Sequence, residues 1–168
     1  MKAGRISQPI TLERGILEKP AEKQLASFIA KFEPRNQTLI RAVRKALQKR
    51  LPTANQLVYD NYNFFVIAYC STERASDAIL SMAADANGVG LHFYRGADLP
   101  DPHKLLLGSG VQNRFVRLES AKMLLRPGIE ALIAAAIAQA KTPLATSGKR
   151  KLVIRSISPK QRPRPQIA

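Results

Sequence analysis

Apolar residues recur every three to four positions from residue 25 to residue 51, gather in short strand-like runs between residue 56 and residue 119, and recur every three to four again from residue 127 to residue 140. That order of patterns constrains the fold more than any other feature of the chain. Helices with one apolar stripe and strands with one apolar face must bury those surfaces against each other. Strands grouped between helices, rather than alternating with them, predict an α+β domain: an antiparallel sheet packed against N-terminal and C-terminal helices.

In the first helical stretch Pro20 suits an opening turn, and Leu25, Phe28, Ile29 and Phe32 make one stripe. Pro34 is expected to end it. Asn36 is expected to cap a second helix with Leu39, Ile40, Val43, Leu47 and Leu51 on its inner face and Arg41, Arg44, Lys45, Lys49 and Arg50 outside. Residues 56–60 and 63–70 are rich in aromatic and β-branched types and read as strands. Residues 78–84 and 89–94 flank Asn87-Gly88, a strong hairpin signal. In the latter strand Val89, Leu91 and Phe93 share one face, and His92 and Tyr94 the other. Asp101-Pro102 predicts a short helix ending at Gly108, residues 114–119 a last strand, and Pro127 a final helix to about Ala140.

These elements divide the chain into an N-terminal extension (1–20), a domain (21–140) and a basic tail (141–168). The tail holds Lys141, Lys149, Arg150, Lys151, Arg155, Lys160, Arg162 and Arg164 and no acid, and it contains much of the net charge of +15. Its prolines and weak periodicity predict disorder, with Leu152-Val153-Ile154 able to pair transiently as a strand. The run Lys149, Arg150, Lys151 and the pair Arg162, Arg164 have the composition of a weak, non-specific nucleic-acid contact, or equally of a solubilising arm. No aromatic residue interleaves those bases, so stacking on single strands is not expected of the tail.

The lone Cys70 lies in an apolar run and reads as a buried small hydrophobe; no disulfide framework exists. Neither a leader-like apolar stretch nor a run of about 20 apolar residues is present, so no membrane partner and a cytoplasmic protein are expected. His92 and His103 are the only histidines, with no partner at metal-ligand spacing, and no metal or cofactor is expected. Nucleotide-binding glycine signatures and a nucleophile elbow are likewise missing.

Two constellations remain. Gly108-Ser109-Gly110 could expose backbone N–H groups to an anion, with Arg114 and Arg117 adding charge; turn glycines and solvated arginines are the plainer reading. Tyr59, Asn61 and Tyr62 form a polar-aromatic group that His92 and Tyr94 could join on one sheet face. The ligand-binding candidates are therefore Tyr59, Asn61, Tyr62, His92, Tyr94, Ser109, Gly110, Arg114 and Arg117, with no catalytic residue among them.

The segments Tyr59–Asn63, Thr72–Ser76, Leu99–Leu106, Gly108–Gly110 and Arg117–Ser120 resemble the YdhG-like family, a bacterial domain of unknown function. The resemblance covers about residues 21–140 and implies a small α+β sandwich similar to the frataxin fold. It supplies no catalytic residues. Some members carry a frataxin-like iron-chaperone label, but such binding calls for a carboxylate-rich surface, and the first helix offers only Glu22 and Glu33. The expected function is a non-enzymatic binding module for a small anionic ligand or a protein partner. Nucleic-acid association through the tail and the basic helix face is the alternative, and iron handling the third.

Overall fold

The computed structural model describes residues 20–166; the expected N-terminal extension lies almost wholly outside them. Helices α1 (Pro20–Ile29) and α2 (Pro34–Arg50) precede strands β1 (Asn55–Asp60), β2 (Phe65–Cys70), β3 (Ala78–Asp85), β4 (Gly88–Phe93) and β5 (Arg114–Leu118), then helix α3 (Pro127–Ala138) and strand β6 (Leu152–Ile157). The fold is α+β, with one six-stranded sheet ordered β5-β4-β3-β2-β1-β6. No helix among the described residues is long and apolar enough to cross a membrane.

Period-two alternation divides the sheet into two faces. Val58, Phe65, Ile67, Tyr69, Leu80, Met82, Leu91, Phe93, Val116 and Leu118 join Leu25, Phe28, Ile40, Val43, Leu47, Ile129, Leu132 and Ile133 from the helices in one core. Phe28 and Phe32 meet Phe65 with ring centroids 6.3 and 6.0 Å apart. Each such buried side chain contributes roughly 1.5–3 kcal/mol against exposure. The opposite face holds a small cluster, Leu57, Ala68 and Cys70 with Tyr59, Ala78 and Val153, drawn entirely from strands and their ends.

Four expectations need correction. The sheet is mixed: β6 runs parallel to β1, from Gln56↔Leu152 to Asp60↔Ile157. Residues 141–166 are thus an ordered part of the domain and not a disordered tail. A parallel edge strand needs a long crossover, and α3 with the chain after it supplies one. Pro34 opens α2 instead of merely ending α1, and Asn36 lies inside the helix; a proline at the first turn sacrifices an N–H that has no helical partner there. Residues 101–108 are not helical. The Asp101 carboxylate accepts from the Leu105 and Leu106 N–H groups at 2.9 Å, Lys104 takes φ +54°, and Leu107 bridges to Phe115 across the edge of β5.

Candidate nucleic-acid interface

Strand polarity places the ends of β1, β3, β5 and β6 in two groups. The turns at 61–64 and 86–87 and the C-terminal segment lie at one end of the sheet. The loops at 71–77, 94–113 and 139–151 belong to the other.

The first end is closed by the C-terminal segment. The Arg164 guanidinium, 2% exposed, meets the fully buried Asp60 carboxylate at 2.9 Å and donates to the Asn61 and Asn63 carbonyls at 2.6 and 3.1 Å. Lys31 reaches the other Asp60 oxygen at 2.6 Å. Burial alone would raise the Asp60 pKa; hydrogen bonds from Lys31, Gln161 and Arg164 outweigh it and hold the carboxyl below its usual range. Ser158 N–H donates to the Asp60 carbonyl, Arg162 N–H to that of Tyr62, and the Ser156 hydroxyl to the Asn61 amide oxygen. The Arg162 guanidinium lies over the Tyr62 ring, 5.7 Å from its centroid. Asn61 and Tyr62 therefore serve this clamp, and Arg164 is consumed within it.

The face opposite the helices is different. Ala68, Cys70, Ser81, Ala83 and Gly90 are buried and form a floor of small residues. Around this floor stand Tyr59, His92, Tyr94, Phe115 and Arg117. His92 and Phe115, paired across β4 and β5, have rings 5.1 Å apart at 17°. A methyl group on Gly90 would lie 3.1 Å from His92 Nε2, so the missing side chain is what lets the imidazole settle there. The Asn113 amide is 3.3 Å from His92 Nδ1. Burial first, and then the Arg117 charge, lowers the His92 pKa, which keeps the ring neutral at pH 7. Arg117 lies 5.7 Å from the Phe115 centroid. The Tyr94 hydroxyl meets Ser81; burial raises its pKa against that hydrogen bond, although the residue is 37% exposed. Burial pushes the Cys70 thiol up to about 12, with Asp77 adding to the rise and Arg155 opposing it, so it is no nucleophile. Arg155 of β6 is exposed at this side. Asp85 and Glu119 lie at the clamp end; Asp77, which acts on the Cys70 thiol and borders Tyr94, stands at the other end, tied by Thr72, Thr142 and Arg74.

The nine ligand candidates consequently do not converge. Tyr59, His92, Tyr94 and Arg117 share the open face, Asn61 and Tyr62 belong to the clamp, and Ser109, Gly110 and Arg114 lie at the other end. Arg114 Nη1 donates to the Gly110 and Asn113 carbonyls, so a carbonyl, not a row of N–H groups, meets the arginine. Its Cβ lies against Gly96, on the opposite side of β5 from Arg117. Positions three apart on a strand cannot share a face. The expected anion loop is thus a braced turn. The basic face of α2 is also partly spent: Arg44 pairs with Glu22 and Arg50 with Glu130, each at 2.8 Å. Lys151 is paired with Glu73 at 2.9 Å, and Arg150 reaches the Pro52 carbonyl, while Lys149 is exposed.

Phe115 and Arg155 escaped the sequence reading. The alternation Phe115, Arg117 against Val116, Leu118 was available for the first. Arg155 was hidden because its strand was assigned to the tail. Among the described residues no three His, Cys, Asp or Glu side chains stand together as a metal site requires. No protein-family model, no curated protein and no solved structure matches this chain.

Proposed function

We propose that the chain is a non-enzymatic binding module for single-stranded nucleic acid, with the open sheet face as its platform. The observation that carries this reading is the grouping of His92, Phe115 and Tyr94 beside Arg117 on a sheet face that no described helix covers. Unpaired bases stack on aromatic side chains whatever their sequence, at about 1–3 kcal/mol per base. Arg117 and Arg155 on the face, with Lys149 at its unclamped end, would neutralise phosphates. A flat face of this kind suits an extended strand better than an enclosed small molecule. The reading transfers the nucleic-acid role from the run of bases in the sequence to the sheet. Membership of the YdhG-like family is proposed beside it, resting on the segments Tyr59–Asn63, Thr72–Ser76, Leu99–Leu106, Gly108–Gly110 and Arg117–Ser120.

Fluorescence anisotropy of the full chain with labelled single-stranded RNA, single-stranded DNA and a duplex tests the reading. Single strands should bind more tightly than the duplex, with a salt slope of about −0.7 per phosphate contacted. Equal binding to single strand and duplex, unaltered by Phe115→Ala, would reduce the interaction to unspecific attraction by a basic protein and end the proposal.

A further inference from the structure

A cleft of about 260 Å³ opens beside the platform, at the end of the sheet away from the clamp. One wall is the 3₁₀ turn Ala75–Asp77 with Ile79; the other is the end of α3 through Thr142. Both walls are tied in place. The Thr142 hydroxyl donates to Asp77 Oδ1 at 3.2 Å, and the Ser71 hydroxyl donates to the Thr142 carbonyl. Arg95 Nη1 donates to the Gln139 carbonyl at 3.1 Å, and the Gln139 amide donates back to the Arg95 carbonyl at 3.2 Å. The cleft is therefore formed before any ligand arrives, which spares the ordering cost of binding.

Its charge is one-sided. Asp77 is the only acid in the lining, and it already accepts from Thr72 at 2.6 Å, Thr142 at 3.2 Å and Arg74 at 3.3 Å. The Thr72 hydrogen bond, with Arg74 and Thr142 behind it, lowers the pKa of that carboxyl against the effect of burial. Lys141 and Arg95 are the cations, and the latter touches an acid only loosely, Asp98 at 3.6 Å. Ser76, Gln112 and Lys141 end at the cleft with no side-chain partner among the described residues. Ile79, Ala136 and Ala140 give it an apolar floor, and Tyr94 an aromatic edge.

We infer that this cleft binds a small organic anion, a phosphate or carboxylate held at Lys141 and Arg95 with an apolar or aromatic body against Ile79, Ala136 and Tyr94. The site is independent of the strand-binding reading except at Tyr94, which borders both.

Amide chemical-shift titration of the full chain with phenyl phosphate tests the inference, with inorganic phosphate and benzyl alcohol as comparators. Phenyl phosphate should give saturable shifts at residues 75–79, 112 and 139–142 and bind more tightly than either comparator. Lys141→Gln, at an exposed position, should weaken it about tenfold, as loss of one charge-assisted hydrogen bond implies, and leave single-strand binding within a factor of two or so. Tighter binding of benzyl alcohol, shifts spread over the lysines and arginines of the whole chain, or a dissociation constant unaltered in both Lys141→Gln and Ser76→Ala would each overturn the site. Equal binding of single strand and duplex, unaltered by Phe115→Ala, together with the expected phenyl phosphate shifts would end the strand-binding reading and leave the cleft standing.

Discussion

The two ends of one sheet treat positive charge in opposite ways. At the clamp, Arg164 and Lys31 converge on a carboxylate that has lost all contact with water. At the other end and across the open face, Arg117, Arg155, Lys141 and Lys149 meet no acid among the described residues, and Arg95 meets one only at 3.6 Å. The first arrangement makes the cation part of the fold, because an isolated buried charge costs several kcal/mol. The second leaves cations for something else to neutralise. A net charge of +15 is thus not one property but two, and only the unmatched part speaks to partners.

The sharpest way to break the comparison is at the clamp. Arg164→Ala leaves Asp60 buried with Lys31 as its remaining cation, and should cost about 3–5 kcal/mol of stability, read by chemical denaturation. Ending the chain at residue 140 should do more damage still. It removes β6, exposes the β1 edge and takes away Arg164, so a truncation meant to delete a tail would unbalance the domain. Lys31→Ala should cost less, since its side chain is 41% exposed.

Acid should find the same place. The folded Asp60 pKa lies below its unfolded value of about 3.9, so its pairing stabilises the protein above roughly pH 4 and is lost as pH falls through the lower, folded value. Stability measured down the acid limb should fall less steeply in Arg164→Ala than in the parent. An identical acid limb would show that Asp60 does not depend on Arg164.

Gly96→Ala probes the braced loop at the other end. The added carbon would stand 2.5 Å from the Arg114 Cβ and 3.0 Å from its backbone nitrogen, and neither can swing away. A loss of about 1–3 kcal/mol is expected, as for overpacking elsewhere. An unchanged melting curve would show that Arg114 is not held there, and would reopen the Gly108–Gly110 loop as an anion site.

Helix and strand identity were legible in the sequence wherever the apolar period ran long enough. Val89, Leu91 and Phe93 were placed on one face of their strand, and His92 and Tyr94 on the other, by alternation alone; the fold turns the first face to the core. The clamp was not legible. Leu152–Ile157 is short and set in a basic, proline-containing stretch that suggested at most a transient strand, and its pairing with β1, nearly a hundred residues earlier in the chain, is what makes it one. Arg164 sits in a segment with the composition of a solvated arm, and nothing local says that Asp60 waits for it. The site failed for a different reason: residues near one another in sequence were grouped before their faces were compared. Arg114 and Arg117, three apart on a strand, could have been separated from the sequence itself.

The smallest expected effect is also the most discriminating. Gly90 faces the open side, and its φ is not in the left-handed region, so alanine suits its backbone. Alanine there restricts the unfolded chain, a gain of about 0.4–1 kcal/mol where no strain results. The new methyl would meet His92 Nε2 at 3.1 Å and push the imidazole off its seat beside Phe115, offsetting that gain. Stability should therefore change by less than about 1 kcal/mol. Phe115→Ala should lower single-strand affinity by roughly tenfold, within the range for one stacked base. Gly90→Ala, which keeps every ring and charge but tilts one ring against another, should lower it by only a few fold. If Gly90→Ala instead lowers stability sharply and spares binding, the rings serve the fold as Asp60 and Arg164 do, and the open face ceases to differ from the clamp.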